Sequence, residues 1–309
     1  MEIHPSMDEA VVADEQVLQP ADAAAEEEGL TGQWSVRRIL VALDASAHSQ
    51  AALSAAVSLA ARLHSEIHGL FVEDINLFRL AELPFAREVR YGEPAARRVE
   101  RDDLQRKLRA RAAVLRHELE ALAEENKLRS TFRVVRGAVD SELLAAALDS
   151  DLLALGRLGH SFARRARLGS AARTAIARAA SSVLLVQPDV AGGPLLVLFD
   201  GSSASRRALA TAAYVAGKDG DVAELRVLVW GPDEQTAFDR RQMAAQLLEP
   251  ADAHVQFQHL SSDNAQRILE WINKQHGSLL IVAAGGDELP PETMERLLDD
   301  AEQHVLLIR

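Results

Sequence analysis

The chain has 309 residues, 48% of them apolar, with 46 acidic against 34 basic side chains, a net charge of −12 and no cysteine. That length and apolar content suffice for two domains with buried cores. The missing cysteines exclude disulfides, thiolate nucleophiles and the usual zinc sites, and fit a reducing compartment, so the expected location is the cytoplasm.

No run reaches the roughly 18 apolar residues that span a bilayer, and the first residues show neither a basic nor an apolar leader, so no membrane partner is expected. Residues 1 to 36 carry nine acidic residues and no Lys or Arg, which leaves −3 for the rest of the chain. Nucleic acid is therefore not an expected partner. The same stretch mixes Ala, Pro and acidic residues without a hydrophobic period and reads as a disordered tail over 1–35.

The body begins at Arg37 with two basic residues and then ILVALD, an apolar run of strand length that ends in Asp44. It reads as a buried parallel strand. Ser46 can cap the helix that follows, whose face is Ala52, Leu53, Ala56, Ala60 and Leu63. EIHGLFV at 66 to 72 is the second strand. A connection over 73 to 94 leads to a long helix from about Pro94 to Lys127 with Leu104, Leu108, Leu115, Leu119 and Leu122 inward. TFRVVRG, LLALG and SSVLLVQP supply three more strands, with helices in DSELLAAALD and GSAARTAIARAA between them. Strands alternating with helices predict an α/β fold with a parallel sheet covered on both faces.

The segment from Leu195 restates this opening at an offset of 156 residues. Leu40, Val41, Asp44, Ser46, Ser49, Ala52, Leu53, Ala56 and Ala60 recur as Leu196, Val197, Asp200, Ser202, Ser205, Ala208, Leu209, Ala212 and Ala216. The match spans a strand, a turn and a helix face together, so it marks a duplication rather than shared periodicity. The Pro- and Gly-rich PDVAGGP separates the copies. LRVLVW, HVQFQHL, LLIVAAG and HVLLIR give the later strands, and the long helix is shortened. The expected organisation is the tail, a first doubly wound domain over 36–188, a linker over 189–194 and a second domain over 195–309. Each domain would hold a five-stranded parallel sheet of order 3-2-1-4-5.

Chemistry concentrates after the fourth strand, where Gly156 and Gly159 are followed after nine residues by Gly169 and Ser170. Glycines at a strand end let backbone amides approach an anion, and Gly169-Ser170 opens a helix whose first amides carry partial positive charge. Ser170 adds a hydroxyl donor, and Arg157, Arg164, Arg165, Arg167 and Arg173 make a basic island that suits phosphate. The plainer alternative is a set of turn and cap glycines beside solvated arginines. In a 3-2-1-4-5 sheet, ligands bind at the switch point between strands one and four, where Asp44 and Gly156 would flank one crevice. Asp44 would there accept from an adenine amine or a ribose hydroxyl, or else simply close an Asx turn before its helix.

With these residues in place, the stretch from 36 to 309 resembles a tandem-domain member of the universal stress protein family, most specifically in its ILVALD opening and its glycine spacing. The resemblance implies ATP or a related adenine nucleotide in the first domain, with Asp44 and Val72 at adenine or ribose and Gly156, Gly159, Gly169, Ser170 and Ala171 at ribose and phosphates. It further implies a stress-response regulator acting through an unknown protein partner. The last strands of the two domains would pair within the chain, and a homodimer of the tandem chain is a further option. A slow ATPase, with Mg2+ brought in on the phosphates, and a scaffold with incidental nucleotide are the alternatives. The second domain keeps Asp200, but Pro291 and Glu292 stand where Gly169 and Ser170 stand in the first, and Asp287, Glu288 and Glu292 would repel phosphate. Other catalytic signatures are missing: there is no G-x-x-x-x-G-K-S/T loop, no G-x-S-x-G elbow and no H-E-x-x-H. His64 and His68 straddle a helix and a strand, which argues against a metal pair.

Overall fold

A strand that is apolar on both faces has to lie inside a sheet covered on both sides, and β1 (Arg38–Leu43) does so, with Ile39, Leu40, Val41 and Leu43 buried. The computed structural model describes residues 35–88, 97–98, 100–158, 168–217, 224–249, 254–260, 264–285 and 291–309. The chain divides into Met1–Gln33 and Trp34–Arg309, and every element below belongs to the second unit. The tail reading falls on residues outside those described, apart from residue 35.

Helix α1 (Ala47–Leu63) starts at Ser46, whose hydroxyl accepts the Ser49 amide at 3.1 Å. Its Ala52, Ala56 and Ala60 are fully buried, so the helix axis can approach the sheet closely. Then follow β2 (Glu66–Asp74), α2 (Ile75–Ala81), the short strands β3 (Arg87–Glu88) and β4 (Arg97–Arg98), α3 (Arg101–Glu125), β5 (Ser130–Gly137), α4 (Val139–Ala147), β6 (Leu152–Gly156), α5 (Ser170–Arg178) and β7 (Ser182–Val186). The long helix begins at Arg101 rather than near Pro94, because Arg97 and Arg98 pair antiparallel with Glu88 and Arg87. Asp102 and Asp103 then occupy its first turn, where the helix dipole favours negative charge. Leu108, Leu115 and Leu119 are buried on its inner face as the spacing predicts, joined by Ala112 and Ala123, while Leu104 and Leu122 pack at the margin.

The second half repeats the plan with β8 (Leu195–Phe199), α6 (Ser203–Ala216), β9 (Leu225–Trp230), α7 (Glu234–Leu248), β10 (Val255–Leu260), α8 (Ala265–Asn273), β11 (Leu279–Ala283), α9 (Pro291–Asp300) and β12 (His304–Ile308). Its second helix has 15 residues against 25 in α3.

The two expected sheets are one. Ten strands run in the order β10-β9-β8-β11-β12-β7-β6-β1-β2-β5. On either side of the β12–β7 joint the strands follow the order third, second, first, fourth, fifth, and all those pairs are parallel. The joint itself is antiparallel, with Val305 opposite Leu185, Leu306 opposite Leu184 and Leu307 opposite Val183. The reason is physical: β7 is buried along its whole length and β12 nearly so, and each would otherwise present an apolar edge with unpaired backbone.

Helices α1, α3, α6 and α7 cover one face and α4, α5, α8 and α9 the other, and each of the two apolar cores runs through both halves. Arg62 in the last turn of α1 donates to the Val215 carbonyl in the last turn of α6 at 2.8 Å, a further tie between the halves.

Candidate functional site

Strands β1 and β6 lie side by side, with Ile39, Leu40 and Val41 opposite Leu152, Leu153 and Ala154. Helices α1 and α5 cover opposite faces of the sheet here, which makes β1/β6 the switch point, outside whose carboxyl ends a ligand crevice is expected in such sheets. Asp44 stands on its β1 side, half-buried. Its Oδ1 accepts the Ser46 amide at 2.9 Å, while its own amide donates to Ser49 Oγ at 3.3 Å. The Asx turn is thus formed. Between Asp44 and Ser46, Ala45 has φ +62°, a left-handed conformation that costs a residue with a Cβ about 1–2 kcal/mol. Strain of this kind is often held at functional sites.

Val72 is half-buried towards the end of β2. Gly156 ends β6 against the first turn of α1: a Cβ there would lie 2.7 Å from both the carbonyl carbon and the Cβ of His48. Glycine is required at this step by helix packing alone. Gly159, Arg164, Arg165 and Arg167 lie outside the described residues.

Gly169 is buried at φ −68°, in extended conformation, and donates its amide to the Arg157 carbonyl at 2.9 Å. It is the N-cap of α5, and no side chain caps that helix. Among the described residues no side chain caps the first amides of α5, beside which Ser170 is exposed and Ala171 half-buried.

Arg157 corrects the reading of a basic island. Only 4% exposed, it turns away from the crevice and donates Nη1 to the carbonyls of Ala301 at 2.6 Å and Asp299 at 3.4 Å, at the end of α9. Burial lowers its pKa to about 10, opposed by the charges of Asp299 and Asp300, so it stays cationic at neutral pH. Arg173 Nε in turn donates to the Leu168 carbonyl at 3.3 Å. Arg157 is therefore committed to α9, whereas Arg173 is exposed.

His48 was not visible as a site residue in the sequence, where it is one polar residue in the first turn of a helix. It is half-buried beside Gly156, and its Nδ1 has no partner among the described residues. Burial lowers its pKa, the charge of Asp44 opposes this, and the charge of Arg157 adds to it.

The second half keeps the turn and loses the crevice. Asp200 Oδ1 accepts both the Ser202 amide at 3.0 Å and the Ser202 hydroxyl at 2.6 Å, and the residue is 2% exposed. Gly201 takes the left-handed position of Ala45 at φ +83°. The register that sets Phe71 beside Leu43 sets Val229 beside Phe199, so Trp230 stands in the place of Val72. Arg240 lies over the Trp230 ring at 5.1 Å, donates to the Trp230 carbonyl at 2.9 Å and passes 3.3 Å from where a Cβ on Gly201 would be. Ala283 and Ala284 replace Gly156 and Arg157, and Pro291 opens α9. The protein's own Trp230 and Arg240 thus occupy the space over the second Asp turn.

The repeat also extends to the outer margins. Arg116 lies over Phe132 at 5.4 Å, and 125 residues later Arg241 lies over Phe257 at 5.5 Å. Surface clefts of about 490 Å³ between α3 and β5 and about 250 Å³ between α7 and β10 sit beside these pairs, and neither includes a residue expected at the nucleotide site.

The two halves are thus doubly wound α/β units, a class that binds its ligands outside the carboxyl ends of the strands at the switch point. Residues 35–187 match the profile of the Universal stress protein family, and this part of the chain carries a domain of that family. Over nearly its whole length the fold is similar to a universal stress protein from Archaeoglobus fulgidus DSM 4304, with a TM-score of 0.65 and 18% identity over 89% of this chain and 97% of that one. It is also similar to a functionally unknown protein from Pseudomonas aeruginosa PAO1, with a TM-score of 0.53 and 16% identity over 89% and 93%. At these identities the likeness is one of fold. No curated protein matches the chain.

Proposed function

We propose that the chain is a stress-related regulator that binds one molecule of ATP or a related adenine nucleotide in its first half and acts through contacts with a protein partner. The observation that supports this reading is the α5 N-terminus: its N-cap is the buried, Cβ-free Gly169, with no side-chain cap hydrogen bond. Such a terminus stabilises phosphate by donated hydrogen bonds and by the helix dipole. Asp44 would take an adenine amine or ribose hydroxyl, Val72 would pack on the base, and Gly156, Gly159, Gly169, Ser170 and Ala171 would line ribose and phosphates. Mg2+ would be held through the phosphates.

In this reading residues 36–188 and 195–309 are two domains of one origin, joined by 189–194. The second is degenerate, its site filled by Trp230 and Arg240, and it serves as a built-in partner that covers the β7 edge. Mass spectrometry of small molecules released from freshly purified protein, followed by calorimetric titration with the one found, tests the proposal. An adenine nucleotide bound at one site supports it. Purified protein that carries no nucleotide and shows no heat with ATP would overturn it.

A further inference from the structure

Three side chains cross the β7–β12 joint, and each ends on carbonyls at the C-terminus of a helix in the opposite half. Arg157 donates Nη1 to Asp299 and Ala301, at the end of α9. Gln187 donates Nε2 to Ala301 and, at 3.3 Å, to Gln303, while its amide donates to His304 Nδ1 at 3.4 Å. From the other side Arg309 donates Nη2 to the carbonyls of Ile176 and, at 3.4 Å, Ala175, near the end of α5. Gln187 and Arg309 each follow the last strand of their half, so the caps are reciprocal. A cation at a helix C-terminus complements the dipole and satisfies carbonyls that have no partner within the helix.

Helix α5 is the one whose N-terminus faces the crevice, and the second half holds it at both ends. Its C-terminal carbonyls take Arg309. Its entry residue, Gly169, donates to the carbonyl of Arg157, whose guanidinium is anchored on α9. Arg157 is also an expensive way to fasten two halves. Among the described residues its Nε and Nη2 are buried without partners. An apolar side chain of similar length would often hold a purely structural interface at less cost.

We propose that Arg157 and Arg309 are positioning residues for the nucleotide site: through them the second half, whose own crevice is filled, fixes α5 of the first half, and occupancy of the site is felt at the end of α9. This rests on the nucleotide reading above and deepens it. Each acts through described backbone contacts: Arg157 through its own carbonyl, which accepts the Gly169 amide, and Arg309 through the carbonyls of Ala175 and Ile176. By linkage, whatever the second half contributes to nucleotide affinity, the nucleotide returns to the α9 contacts.

The test uses the full chain, with ATP as the probe. Arg157→Met and Arg309→Met should each weaken ATP binding about tenfold while leaving a folded protein, and Arg157→Lys should recover part of the loss. In the wild type, ATP should slow hydrogen exchange at the amides of Ala301 and Glu302, and in Arg157→Met it should not. Should Arg157→Met fail to fold, Arg309→Met carries the test, since it alters only the half-buried last residue. Wild-type affinity in folded Arg157→Met and Arg309→Met, or protection by ATP confined to the first half, would overturn this inference and leave the nucleotide reading standing. Absence of ATP binding by the wild type would overturn both.

Discussion

Asp44 and Asp200 stand at the same step of the same turn, each accepting the amide of a serine that caps the next helix, yet the first is half-buried and the second is sealed. The contacts shared by the two halves are those the fold needs: the Asp turn, the Ser caps, the alanine faces of α1 and α6, and the parallel registers. The residues that differ are those a ligand would need, including the glycine at the end of the fourth strand and Gly169-Ser170 at the entry to the last helix, where the second half has Ala283 and Pro291-Glu292. The two halves share their packing and differ at the positions expected to hold a ligand.

Variants can break or sharpen this contrast. The largest effect is expected from Gly169→Glu, which puts a carboxylate where phosphate would bind and should lower ATP affinity at least about 100-fold. The change mimics the Pro291-Glu292 entry of the second half, and calorimetry on the folded variant measures it. Next comes Gly156→Ala. Its Cβ would meet His48 at 2.7 Å, so a loss of about 2–3 kcal/mol is expected in urea denaturation. His48→Ala, which imports the alanine that the second half has at this place, should recover only part, because the backbone carbonyl of residue 48 is just as close.

Asp200→Ala strands the amide and hydroxyl of Ser202 and should cost about 2 kcal/mol of stability without changing ATP affinity. Asp44→Ala should show the reverse weighting, with a smaller stability loss and weaker ATP binding. The left-handed step gives a smaller, reciprocal pair. Gly201→Ala should lose about 1 kcal/mol or more, and Ala45→Gly should gain about 0.5–1 kcal/mol once the extra freedom of glycine in the unfolded chain is counted. Thermal denaturation of both variants checks the opposite signs.

The smallest effect is a pH dependence at the joint. Burial, and then the charge of Arg157, lower the pKa of His304 below its ordinary 6.5, and its Nδ1 accepts the Gln187 amide only when unprotonated. The unfolded chain therefore binds a proton more readily than the folded one. Stability should be flat above about pH 6.5 and fall below it, by at most about 1.4 kcal/mol per pH unit for this group, until the folded His304 itself protonates. His48 adds a term of the same sign. His304→Asn, which keeps an acceptor, should flatten the decline between pH 7.5 and 5.5 in urea midpoints.

Much of the fold was legible in the sequence, because apolar runs of strand length alternate with helical spacing and the repeat at Leu195 ties the halves together. Helix α2 and the β3–β4 pair were not, being too short to carry a period, although Asp74 as the cap of α2 is a signal that could have been used. The pairing of the two sheets through their last strands was anticipated, and it follows from the apolar length of β7 and β12. At the site, the turn at Asp44 and the entry at Gly169 were legible from residue type. The direction of Arg157 was not: a guanidinium can reach either way from a loop, and its acceptors at Asp299 and Ala301 lie more than 140 residues on. Trp230 and Arg240 were invisible as fillers because only strand register places Trp230 at the position equivalent to Val72.

The central claim is that one half holds nucleotide and the other has given up its site to its own side chains. Calorimetric titration of the full chain with ATP measures this directly. The account predicts a single site per chain, lost in Gly169→Glu and retained in Asp200→Ala. Two equivalent sites per chain, or binding that survives Gly169→Glu and disappears in Asp200→Ala, would contradict it.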